Sequence, residues 1–168
     1  MRIALVLAIL LSAATLRGTV AAEPLPRPTG PVILTVTGAI ERTNADGRAE
    51  FDRAMLEALG VTELTTSTDF TDGKPTFSGV LASRLLAAVG GHGTTIVASA
   101  LNDYQVTIPA DDFTRYPVLL AFAMNGKPLT PRDKGPLWAV YPRDDYPALM
   151  DPKINDRWIW QLRALEVR

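Results

Sequence analysis

Val118-Leu119-Leu120-Ala121-Phe122-Ala123-Met124-Asn125-Gly126-Lys127-Pro128-Leu129 is an apolar run that meets Asn-Gly and then turns back. Asn-Gly next to strand-like residues is the strongest short-range hairpin signal, because both residues accept the left-handed backbone of a tight turn. A little further on, Arg132-Asp133-Lys134-Gly135-Pro136-Leu137-Trp138-Ala139-Val140-Tyr141-Pro142 passes from a charged loop into another apolar strand. Pro142 ends it, since proline cannot donate to a sheet ladder. A loop of this kind delivers ionisable side chains to the mouth of a buried strand, where a polar ligand can be held. A solvated turn has the same composition, so the rest of the chain has to decide.

Working outward, Val32 to Thr37 is rich in β-branched residues and ends at Gly38, which reads as a strand. Phe51, Ala54, Met55, Ala58 and Leu59 recur at helical spacing with Gly60 as a stop. Leu64 to Thr68 is strand-like and leads into a polar loop, Asp69 to Pro75. Leu81, Leu85, Leu86 and Val89 mark a second helix closed by Gly90-Gly91. Thr95 to Leu101 and Tyr104 to Ile108 flank Asn102-Asp103 and suggest a hairpin. Pro109 to Phe113 reads as a helical turn started by an aspartate cap. After a proline-broken loop from Pro142 to Pro152, Trp158 to Leu162 and Leu165 to Val167 read as a closing strand. Strands outnumber short helices, so the expected class is α+β with a mixed or antiparallel sheet.

The first 22 residues differ in kind. Arg2 precedes nine consecutive apolar residues, Ile3 to Leu11, and Val20-Ala21-Ala22 puts small residues before Glu23. This predicts a secretory signal peptide over residues 1–22, hence a periplasmic, soluble mature protein with no membrane insertion after cleavage. The apolar run is too short for a membrane helix, which needs about 20 such residues. Residues 23–31 hold four prolines and predict an extended leader. A single domain over residues 32–168 follows.

Composition narrows the chemistry. The 168 residues carry a net charge of -1, which argues against nucleic acid as a partner. There is no cysteine and one histidine, so thiolate nucleophiles, Fe–S clusters and a zinc site built from side chains are not expected. His92 lies in a Gly-rich turn and makes a poor triad member. The pairs Asp111-Asp112 and Asp144-Asp145 are sequence neighbours that point apart or cap turns, not facing acids and bases.

Several pieces taken in order carry a resemblance. These are Phe77-Ser78-Gly79-Val80-Leu81, Asn102-Asp103-Tyr104-Gln105-Val106, the Asn125-Gly126 hairpin, Lys134-Gly135-Pro136-Leu137, and Trp160-Gln161-Leu162 to Glu166-Val167. Together they resemble the molybdopterin-binding domain of the sulfite oxidase family, and the likeness implies the sulfite oxidase fold. Catalytic members hold molybdenum through a pterin dithiolene and one cysteine, and grip the cofactor phosphate with basic side chains. By spacing the cysteine position falls near Ser67, within Thr66-Ser67-Thr68. Asp133, Trp138 and Trp160 fall where the family carries His, Arg and Lys.

A thiol and three cations have thus been replaced by a hydroxyl, a carboxylate and two indoles. The resemblance then implies a pterin or pterin derivative without metal or phosphate, with molybdopterin as the alternative. Trp138 or Trp160 would stack on the ring, and Asp133 or Asp103 would accept from its amino-pyrimidine edge. Tyr104 falls at a family active-site tyrosine, and Lys134 and Ser67 complete the expected ligand contacts. Exported, metal-free members are similar to pterin-binding proteins that act beside membrane sensors of bacterial second-messenger enzymes. The periplasmic domain of such a membrane-bound signalling enzyme is therefore an expected partner. The rival expectation is a periplasmic molybdopterin-dependent oxidoreductase with a non-cysteine metal ligand.

Overall fold

A computed structural model describes residues 24–168. The expected signal peptide, residues 1–22, lies outside them. Elements run in the order β1 (Leu34–Gly38), β2 (Ala49–Phe51), α1 (Arg53–Ala58), β3 (Val61–Thr65), β4 (Thr76–Leu81), α2 (Ala82–Val89), β5 (Thr95–Ala100) and β6 (Gln105–Pro109). They continue through α3 (Asp112–Arg115), β7 (Leu119–Met124), β8 (Lys127–Pro128), β9 (Trp138–Val140), 3-10 turns over Pro147–Met150 and Pro152–Arg157, and β10 (Leu162–Val167). The class is α+β, with two sheets and few short helices in one small domain.

The first sheet has the order β2-β1-β10-β5-β6. It is mixed, because β10 runs parallel to β1 and antiparallel to β5. The second has the order β3-β4-β7-β8, with β9 also on β7. β7 is the apolar run LLAFAM, and it is central because it pairs with β4 on one side and with β8 and β9 on the other. A strand covered on both faces wants apolar residues at every position, and five of the six here are buried. The β4–β7 register slips between Ser78 and Gly79. A Cβ on Gly79 would strike the Leu120 carbonyl and lie 2.7 Å from the Ala121 Cα, so the strands close here only around glycine.

The helices end where their sequence dictates. Asp52 caps α1 by accepting from the Met55 amide at 2.8 Å, and its other oxygen accepts from the amides of Thr29 and Gly30. The leader is therefore tied down, and Leu25 packs into the core. Gly90 closes α2 in the left-handed conformation. Phe51, expected on the first helix, ends β2 instead, because the chain must leave the sheet before Asp52 can cap. No side-chain hydrogen bond caps α3, contrary to the aspartate cap expected there: Asp111 is itself helical in backbone.

The closing strand starts later than its aromatic alternation suggests. Gln161 has φ 51, which breaks extended pairing, and its amide donates to the Lys134 carbonyl at 2.9 Å. Its side chain donates to the Pro131 carbonyl at 2.8 Å. Trp158 to Gln161 thus lies outside the named strands, with Ile159 hydrogen-bonded to Ala139 of β9 and Gln161 to the charged loop.

Candidate functional site

Four segments meet at one end of the molecule: the loop 66–75 after β3, the β5–β6 turn, the 3-10 turn 152–157, and residues 158–161. Between them lies a cleft of about 320 Å³. Phe70 and Trp160 form one wall, with ring centroids 4.9 Å apart and planes at 74°. Tyr104 and Asn102 come from the hairpin turn, and Asn155, Asp156 and Trp158 from the segment opposite. Trp160 is 38% exposed and Tyr104 46%, so both present ring surface to a ligand. Burial, together with the Asp156 carboxylate, pushes the Tyr104 phenol above its ordinary value.

The remaining expected residues sit around this cleft or away from it. Trp138 is fully buried and has no face left for stacking. Its indole donates to the Trp158 carbonyl at 3.0 Å, and its ring backs Trp160 at 6.4 Å. Lys134 lies over both indoles, 5.4 Å from the Trp138 centroid and 5.9 Å from that of Trp160, a cation–π arrangement that holds the loop. Asp133 is exposed and faces Lys134 at 3.7 Å, so it serves the loop rather than the cleft lining. Asp103 has φ 66, which Asp tolerates in a tight turn, and its side chain accepts from Arg163 at 2.6 Å. It too lies outside the lining.

Ser67 is engaged elsewhere. Its hydroxyl donates to Asp144 at 2.5 Å and its amide to the second oxygen at 3.1 Å, while Lys74 approaches that oxygen at 3.1 Å. The Ser67 hydrogen bond, aided by Lys74 against burial, holds the Asp144 carboxyl below its ordinary value. Two residues on, Asp69 accepts from Arg143 and from Asn155, the latter at 2.6 Å. Arg143 and then Asn155 hold the Asp69 carboxyl down as well. Asp69 thus ties the loop that carries Phe70 to Asn155 of the opposite wall, and Asp144 ties the same loop to the segment after β9.

The 3-10 turn is fastened from behind. Arg157 donates to Asp112 at 2.7 Å, and the Tyr141 hydroxyl donates to the same oxygen at 3.1 Å. Asp112 is buried, so this pair fixes where Asn155 and Asp156 point.

Sequence reasoning missed Phe70, Asn155, Asp156 and Trp158 as lining. A lone aromatic in the polar loop Asp69 to Pro75 was the available sign for the first. Asp156 gave none, since a short 3-10 turn has no periodicity. Among the described residues, no three His, Cys, Asp or Glu side chains group so as to hold a metal ion, and no helix is long and apolar enough to cross a membrane. The arrangement is suited to clasping a flat ring between aromatic walls with polar groups at its edge.

Residues 44–145 match the family model described as the oxidoreductase molybdopterin binding domain. No curated protein matches the chain.

Proposed function

Because the chain belongs to the oxidoreductase molybdopterin binding domain family, we propose that its cleft takes a pterin-like ring, in a domain of the sulfite oxidase fold. The observation that carries this reading is the trio of Phe70, Tyr104 and Trp160 facing one cleft of ring-sized volume. Stacking of a heteroaromatic ring on such side chains contributes about 1–3 kcal/mol per contact.

The full molybdenum cofactor fits these residues poorly. No cysteine exists in the sequence to ligate the metal, and the hydroxyl nearest that position by spacing, Ser67, is already donating to Asp144. The cleft lining contains the Asp156 carboxylate and no cation, so a phosphate dianion would meet repulsion where it needs charge-assisted donors. The ligand of this proposal is therefore a pterin without dithiolene, metal or phosphate.

The N-terminal residues support export to the periplasm. A binder in that compartment acts by handing its ligand state to another protein, and the periplasmic domain of a membrane-bound signalling enzyme is the partner we propose. Ligand binding would favour one arrangement of the walls and hence one docking surface. Family membership favours the rival, an oxidoreductase with an oxygen ligand on molybdenum. Mass spectrometry and elemental analysis of protein purified from its native host separate the two. A fluorescent pterin released on denaturation without molybdenum supports the binder, and stoichiometric molybdenum overturns it.

A further inference from the structure

Asp156, an exposed residue, is the one carboxylate in the cleft lining among the described residues. Asp69, Asp103, Asp112 and Asp144 all accept from neighbouring Arg, Lys or Asn side chains. Asp156 has no ion pair and no side-chain hydrogen bond among the described residues, and it lies in the lining beside Tyr104. Its place is secured from behind by the Arg157–Asp112 pair and from the side by Asn155, which donates to Asp69. The Trp158 indole N–H is buried without any partner, and Trp158 belongs to the same lining. That N–H has no exposed surface, so a ligand in the cleft does not meet it, and Trp158 serves the lining as a packed wall.

We propose that Asp156 is the specificity-determining group of this cleft, and that it selects heterocycles carrying a 2-amino-4-oxopyrimidine edge. The inference rests on the pterin reading and adds the edge by which the ring is chosen. That edge presents two parallel donors, the exocyclic amine and the adjacent ring N–H, matching the two oxygens of one carboxylate. Phe70 and Trp160 supply the stacking wall, which accepts any flat ring and does not discriminate. Discrimination comes from the carboxylate. A 2,4-dioxo ring sets a carbonyl oxygen against it, which loses one hydrogen bond and adds repulsion. An amide at the same place has one acceptor and one donor, and so suits the dioxo edge better than the carboxylate does.

The test uses 2-amino-4-oxopteridine and 2,4-dioxopteridine (lumazine) as probes, titrated into the protein with tryptophan fluorescence as readout. The expected result is at least tenfold tighter binding of the amino ring, with the ratio falling to near one or reversing in Asp156→Asn. Trp160→Ala is expected to weaken both probes alike, and Asp133→Ala neither. Equal wild-type affinities that still depend on Trp160 overturn the role of Asp156 and leave the pterin reading standing. So does a preference for the amino ring that survives Asp156→Asn. Failure of both probes to bind the wild type overturns the pterin reading and the inference with it.

Discussion

Trp160 and Tyr104 differ from Trp138 in one respect that matters, namely access. Trp160 offers its ring to the cleft, whereas Trp138 is covered on all sides and acts as the support behind it. Trp160→Ala should therefore weaken pterin binding by about tenfold or more with the fold retained, as titration and a far-UV spectrum would show. Asp69 and Asp144 make a second prediction at this scale. Both have folded-state values below the ordinary 3.8, so their contribution is complete above that pH and is lost as the pH falls through the lowered values. Proteolysis within residues 66–75 should be flat from about pH 5 to 8 and rise only below about pH 4. A rise already between pH 7 and 5 would mean that some other group holds the loop.

At the scale of elements, β7 organises the second sheet and the 3-10 turn organises the cleft. Leu120 is fully buried on β7 between β4 and β9, so Leu120→Ala should cost about 2–5 kcal/mol in denaturant unfolding. Arg157→Ala removes the partner of a buried carboxylate and should lower both melting temperature and ligand affinity, the latter because Asn155 and Asp156 ride on the freed turn. Arg157→Lys should restore the first more fully than the second, since one ammonium does not reproduce the guanidinium's fixed geometry. Elements with local signals were legible in the sequence. Asn125-Gly126 announced β7–β8, and helical spacing with Gly90 announced α2. Trp158 to Gln161 was misread because aromatic alternation in a docked segment looks like alternation in a strand. The cleft itself was legible only in part. Trp160 and Tyr104 stand out as aromatics, but Phe70 and Asp156 reach the site from separate loops through contacts that no local pattern encodes.

Across the whole molecule, the leader and the last strand matter more than their positions in the chain suggest. Thr29 and Gly30 donate to the carboxylate that also caps α1, so deleting residues 24–31 should loosen that helix and lower the melting temperature measurably. Sheet order was the least legible feature, since β10 parallel to β1 follows from burying both sheets together and not from any signal near Leu162. That placement bears on how the protein is made. Until Leu162–Val167 has left the ribosome, β1 and β5 have nothing between them, and each offers a bare, adhesive border to any passing strand. Completion of the first sheet therefore waits on Leu162–Val167, the strand that seals both borders.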